Sequence, residues 1–193
     1  MDAGARSADI AITVYCASSV HCPPAYTAVA TDLGRLLAQR RYRLVYGGGN
    51  SGLMGTIARS VLSEGGQVTG VILRRFVEQG YAQAGHEMHL VDDMGSRKQG
   101  LEDRADAFIA LPGGFGTFEE LTQVLSLKQL GFHRKPIVLL NIFGYFNGFL
   151  DQINRGFGEG LILEKYKSLF SCVTNAEQAV VRVEQELGLV TDN

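Results

Sequence analysis

The stretch AFIALPGGFGTFEELTQVLSLKQL, from Ala107 to Leu130, decides how the rest of the chain reads. Ala107 to Leu111 is apolar throughout, which suits a strand buried on both faces. Pro112-Gly113-Gly114-Phe115-Gly116 then breaks the pattern, and Thr117 to Leu130 carries apolar residues at helical spacing. A strand, a glycine turn and a helix in that order form half of a βαβ unit. The same grammar recurs outward in both directions. Strands are expected at Ile10 to Ser18, Leu44 to Tyr46, Val68 to Leu73, Met88 to Val91, Ile137 to Leu140 and Phe170 to Val173. Helices are expected at Pro24 to Arg40, Leu53 to Leu62, Ser96 to Arg104, Tyr145 to Gly156 and Asn175 to Leu187. This alternation predicts an α/β fold: a Rossmann-like, doubly wound parallel sheet of six to seven strands with helices on both faces. One domain over residues 10–193, behind a loose polar tail at 1–9, is the simplest division.

Composition narrows the function. The 193 residues are 46% hydrophobic and carry a net charge of −2. That is enough for one full core, and it lacks the basic surplus of a nucleic-acid binder. The three cysteines, Cys16, Cys22 and Cys172, form neither a disulfide framework nor a zinc motif. Cys16 and Cys172 read as small buried hydrophobes. His21, His86, His89 and His133 show no metal-ligand spacing, so no metal is expected. No apolar run approaches the ~20 residues of a membrane span, and no signal-peptide segment precedes residue 10, so the expected location is the cytoplasm.

Ligands of such sheets bind beyond the carboxyl ends of the strands. Two glycine-rich loops fall there. Gly47-x-Gly49-x-x-Gly52 satisfies the dinucleotide fingerprint literally. Arg74 and Arg75 stand where an acidic ribose ligand is usual, which leaves an NADP oxidoreductase open. The second loop, Pro112 to Thr117, offers backbone N–H groups and a helix N-terminus to an anion, most naturally a phosphate. It lacks the Gly-Lys-Ser/Thr ending of a Walker loop. Thr117-x-x-Glu120 has capping-box spacing, so Glu120 is either a helix cap or a reactive carboxylate. Ser96-x-x-Gln99 has the same spacing. It would set Arg97 and Lys98 in a first helical turn, where cations are unfavourable unless an anion binds nearby.

These motifs together resemble the LOG ("lonely guy") family, cytokinin riboside 5′-monophosphate phosphoribohydrolases, which older automatic naming calls lysine decarboxylases. The resemblance rests on Pro112-Gly113-Gly114-x-Gly116-Thr117-x-x-Glu120, on Arg97-Lys98, and on Tyr46 to Gly49 with Gly52 to Gly55. It extends to Gln129-Leu130-Gly131, Lys135-Pro136 and Gly144-Tyr145. The resemblance implies a catalytic pair, Arg97 and Glu120. It also implies a nucleotide-binding set of Lys98, Gly113, Gly114, Gly116, Thr117, Gly47, Gly48, Gly49, Ser18, Met94 and Gln79, with no cofactor or metal. Gly95, Ala17 and Gln79 depart from the family pattern, which bears on base or ribose preference. The substrate would be a nucleoside 5′-monophosphate, cleaved at its N-glycosidic bond. A homodimer is expected, with the site near its interface, because Phe118, Leu121, Val124, Leu125, Leu127 and Leu130 are too many apolar positions for one covered helix face; burial on more than one side within the monomer is the alternative. A non-catalytic nucleotide or cofactor carrier of the same fold remains the alternative beside the oxidoreductase. No lysine sits in a pyridoxal-phosphate motif.

Overall fold

The computed structural model describes residues 10–190, so the expected tail at 1–9 lies outside the described residues. The chain forms a sheet of seven strands, β1 (Ala11–Tyr15), β2 (Arg43–Tyr46), β3 (Val68–Leu73), β4 (Glu87–Val91), β5 (Ala107–Ala110), β6 (Ile137–Leu140) and β7 (Ser171–Val173). All its pairings are parallel, in the order β4-β3-β2-β1-β5-β6-β7. The helices are α1 (Pro24–Gln39), α2 (Gly52–Ser63), α3 (Arg74–Glu78), α4 (Met94–Asp103), α5 (Phe115–Gln129), α6 (Asn147–Gly158) and α7 (Ala176–Glu186). The doubly wound architecture read from the sequence is therefore the architecture present.

Period-2 alternation divides the strand residues between two cores. Ile12, Val14, Leu44, Tyr46, Ile109 and Val138 pack with α1, α2 and α7. Ala11, Tyr15, Val45, Phe108, Ala110 and Ile137 pack with residues of α4 and α5 and with Phe146. Thr13 is fully buried on the second face, and its hydroxyl donates to the Leu101 carbonyl of α4 at 2.9 Å. The winding reverses at β1. After β4 the chain returns through α4 and adds β5 on the other side of β1, which opens a crevice at the strands' carboxyl ends.

Several local expectations are corrected. β1 ends at Tyr15, so Cys16 to Ser18 are loop rather than strand. Helix α4 begins two residues earlier than expected, because Asp93, not Ser96, caps it. The Asp93 carboxylate accepts from the Ser96 amide at 2.9 Å and from the Ser96 hydroxyl at 2.6 Å. Arg97 and Lys98 thus follow the first turn instead of forming it. Helix α5 begins at Phe115 behind an extended Gly114, so Thr117 is a buried first-turn residue and Glu120 lies in the second turn. The Thr117–Glu120 capping box is absent. Helix α6 starts after a 3-10 turn at Ile142–Gly144, and the five-residue α3 was not anticipated. Cys16 is buried, but Cys172 is exposed, since the edge strand β7 leaves it uncovered.

Candidate active site

Three loops meet at the reversal. The Ala17 amide donates to the Pro112 carbonyl at 3.1 Å, and the amides of Leu53 and Met54 donate to the Ala17 carbonyl at 2.9 and 3.2 Å. The β1 loop is thereby tied to the loops after β2 and β5. Gly52 makes this possible: its φ is +57°, and a Cβ there would lie 2.6 Å from Ser18 and Ser19 backbone atoms.

Arg97 crosses the crevice from α4. It is 8% exposed, and its Nη1 donates to Glu120 Oε1 of α5 at 3.0 Å. Its Nη2 reaches the Gly47 carbonyl at 3.4 Å, a long contact. A Cβ on Gly47 would stand 2.1 Å from that nitrogen, so the close approach requires glycine. One guanidinium therefore links the β2 loop to α5. Lys98, the next residue, pairs with Glu119 at 2.7 Å.

Burial holds the Glu120 carboxyl above its ordinary value, while the charge and hydrogen bond of Arg97 pull it down. The carboxylate lies too far into α5 to be ionised by the helix N-terminus, whose influence fades within the first turn. Arg97 is the main group that favours its charged form, with a smaller contribution from the Lys98 charge. Burial, followed by the Glu120 charge, likewise raises the neighbouring Tyr15 hydroxyl well above its ordinary value. Burial pushes the Cys16 thiol up as well, which disfavours a thiolate nucleophile.

The β1 loop separates two cavities. One, of about 280 Å³, has Ser18, Gly47, Gly49 and Arg97 on one side and Met54, Ile72, Phe76 and Tyr81 on the other. The second, of about 250 Å³, is lined by Ser19, Tyr26, Gly113, Gly114 and Tyr145 among others. The Tyr145 hydroxyl donates to the Gly113 carbonyl. The two glycine loops thus flank one crevice but open into different chambers, with the Arg97–Glu120 pair between the elements that carry them. Gly48 is buried beside the first chamber, and Gly116 is exposed with open space above it. Met94 begins α4 and is 39% exposed. Gln79 is exposed at the end of α3, whereas Phe76 and Tyr81, which sequence reading missed, turn toward the cavity. Their only sequence signal was two aromatic residues in an otherwise polar connection.

Comparison with known proteins shows the family of the chain. The family model described as "Possible lysine decarboxylase" matches residues 54–183. The "Probable cytokinin riboside 5′-monophosphate phosphoribohydrolase LOG4" of Oryza sativa subsp. japonica is 39% identical, over 94% of this chain and 80% of its own length. The "Cytokinin riboside 5′-monophosphate phosphoribohydrolase LOG7" of Arabidopsis thaliana is 42% identical, over 90% of this chain and 81% of its own. Among solved structures, the Moco carrier protein of Chlamydomonas reinhardtii superposes with a TM-score of 0.71 at 20% identity, covering 94% of this chain and 99% of that one. The molybdenum cofactor binding protein of Rippkaea orientalis gives 0.72 at 19%, covering 93% and 98%. At such identity these structures share the fold alone. The sequence relatives say more: at about two residues in five identical over nine-tenths of its length, this chain belongs to the LOG family.

Proposed function

We propose that the protein hydrolyses the N-glycosidic bond of cytokinin riboside 5′-monophosphates, and of AMP, to free base and ribose 5-phosphate. The observation that carries this reading is the buried Arg97–Glu120 pair, with side chains 10% and 12% exposed, set between two glycine loops. Departure of the base builds positive charge on the ribose ring. A fixed carboxylate in a poorly hydrated site stabilises that charge or orients the attacking water. Glu120 takes this role. Arg97 favours the ionised form of Glu120 and positions it, and it contacts the ribose phosphate or hydroxyls. The 5′-phosphate lies on the loop Gly113, Gly114 and Gly116 with Thr117, where the backbone of the α5 N-terminus favours an anion. Lys98, Gly47, Gly48, Gly49, Ser18, Met94 and Gln79 complete the nucleotide site. A carrier of the same fold would need the loops but has no use for a buried carboxylate facing the ribose.

The finer reading includes a homodimer in the cytoplasm, with the site near the interface. Helix α5 supports it. Leu121 and Val124 are fully buried, yet Leu130 is 66% exposed, and Leu125 borders an apolar groove of about 210 Å³ with Phe149, Ile153 and Phe170. Light scattering is expected to return twice the chain mass at micromolar concentration, and a monomer there removes the dimer. Among the described residues, no helix is long and apolar enough to cross a membrane.

Chromatography of products tests the central reading. Purified protein is expected to release free base from AMP and N6-isopentenyl-AMP without added metal or nicotinamide, and to act poorly on the nucleoside lacking phosphate. Phosphate release with the nucleoside left intact would indicate a phosphatase instead.

A further inference from the structure

Helices α4 and α5 carry the two halves of the ion pair, and a second link joins them about one turn farther from the crevice. Glu102 stands five residues after Arg97 on α4, and Gln123 three residues after Glu120 on α5. The Gln123 side-chain amide donates to the Glu102 carboxylate. Glu102 is only 8% exposed, yet its carboxylate meets a neutral amide rather than a cation. A buried carboxylate held in this way is costly, and burial raises its carboxyl above the ordinary value. Neither the glycine loops nor the reaction at Glu120 accounts for it.

The segment before β6 closes this link into a ring. Lys135 Nζ donates to the Glu102 carbonyl, at the end of α4, at 2.7 Å. His133 Nε2 donates to the Val124 carbonyl of α5 at 3.0 Å, and its Nδ1 accepts from the Lys135 amide at 3.2 Å. These partners require the neutral imidazole with its proton on Nε2, and burial, the largest influence on His133, favours the neutral form. Thr13 of β1 ties the same turn of α4 to the sheet through the Leu101 carbonyl. The Tyr15 ring lies within reach of both links: after burial, the charges of Glu120 and Glu102 raise its hydroxyl. The remaining pair between the helices, Lys98 with the exposed Glu119, fixes little, as surface ion pairs do.

We propose that Glu102 and Gln123 are positioning residues for the Arg97–Glu120 pair: their bond, closed into a ring through His133 and Lys135, fixes α5 against α4 one turn below the pair. The inference rests on the proposed function for the reaction that the pair serves. Arg97 does not fix the alignment alone. It makes one bond to Glu120 at 3.0 Å and a long contact to Gly47, and its Nε has no partner among the described residues. A single bond between long side chains leaves two helices free to tilt about it. A second bond about 5.4 Å along their length, one turn away, removes that freedom. A carboxylate that stabilises developing charge acts by being held in place before the reaction. Misplacement by about 1 Å is enough to cost on the order of 10²-fold in rate.

The test measures kcat, KM and the pH–rate profile with AMP and N6-isopentenyl-AMP for the full chain and for Glu102→Ala, Gln123→Ala and Glu102→Gln, with a melting curve for each. Both alanine variants are expected to lower kcat on the order of 10–10²-fold and to leave KM within about twofold. Their acid limb is expected to move to higher pH, because Glu120 loses part of the Arg97 contact that favours its charge. Glu102→Gln still accepts from Gln123 and is expected to keep kcat. Gln123 is half-buried, so its truncation tests the idea even where Glu102→Ala fails to fold. A lower melting temperature with kcat and acid limb unchanged would give the ring a structural role only and overturn the inference. So would a Glu102→Gln protein as slow as Glu102→Ala, since the charge and not the bond would then be responsible. Absence of base release by the unaltered chain would sink the hydrolase reading instead. Carboxyl NMR titration of Glu120 then decides this one: its midpoint rises in both alanine variants if the ring positions the pair, and an unmoved midpoint refutes it.

Discussion

Replacing Glu120 by glutamine separates the chemistry of the site from its stability. The change keeps an oxygen where Arg97 Nη1 now donates at 3.0 Å, and removes only the negative charge. Two effects on stability oppose each other. A charge-assisted hydrogen bond worth roughly 1.5–3 kcal/mol becomes a neutral one worth roughly 0.5–1.5 kcal/mol. Against that, burial has raised the Glu120 carboxyl above 4.5, so the ionised group is better accommodated in the unfolded chain. Its stability contribution is full below the unfolded value and falls as pH rises through the folded one, so glutamine relieves a penalty at neutral pH. The melting temperature is therefore expected to move little. Turnover is expected to fall on the order of 10²–10³-fold, about 3–4 kcal/mol, because the lost charge faces the developing cation. Glu120→Ala provides the contrast. It removes the acceptor as well and leaves a buried guanidinium unpaired, at about 3–5 kcal/mol of stability. Base release by chromatography and a melting curve for each variant make the comparison. A folded Glu120→Gln protein with near-normal turnover would refute the assigned role, whatever the substrate.

Three further outcomes follow from the same geometry. The acid limb of kcat/KM is expected to have its midpoint above 4.5, with activity rising as Glu120 ionises through its raised folded value; a pH–rate profile with an ordinary or lowered midpoint counts against burial control of that group. Gly47→Ala would place a Cβ 2.1 Å from Arg97 Nη2 and push the guanidinium off its alignment, so turnover is expected to fall more sharply than the melting temperature; unchanged turnover would show that the alignment does not matter. Asn175→Ala removes the oxygen that accepts from the Gln178 amide at 2.9 Å, and denaturant unfolding is expected to show a loss of about 1 kcal/mol with turnover kept, as for a helix cap remote from the site.

The sequence disclosed elements where local pattern and tertiary environment agree. The limits of β3 and β6 are those its apolar runs predict, since a polar residue or a proline bounds each run and both strands are buried on both faces. It misled where two local solutions compete. Ser96 has capping-box spacing to Gln99, but Asp93 can cap the same helix one turn earlier and accept two hydrogen bonds from Ser96, so the helix takes the longer form. Glu120 shows the converse: its spacing from Thr117 imitates a cap, while a partner on another helix decides its fate. No sequence window contains Arg97 and Glu120 facing each other. The placement of Phe76 and Tyr81 at the cavity was hidden for a related reason: α3 is too short for a helical period, and the segment after it owes its position to hydrogen bonds with a loop about thirty residues earlier.

The stability cost of this fold is concentrated where the site is proposed. Elsewhere among the described residues the buried side-chain nitrogens and oxygens have hydrogen-bond partners: Thr13 donates to Leu101, and Glu184 accepts from both Tyr42 and Arg40 at 3.0 Å. Arg97 Nε is the exception, a buried side-chain nitrogen without a hydrogen-bond partner among the described residues. An unmet buried donor costs about 1–3 kcal/mol. Its guanidinium also bridges to a carboxyl that burial has pushed up, so two departures from good folding practice share one ion pair. A core selected for stability alone would place apolar side chains of similar volume there, often at no loss. Local conflict of this kind is expected where function constrains residue choice. Arg97→Met with Glu120→Leu should then unfold at a temperature no lower than the unaltered chain while releasing no base. A marked loss of stability in that double variant would show instead that the pair holds the fold together, and would remove this ground for placing the chemistry at it.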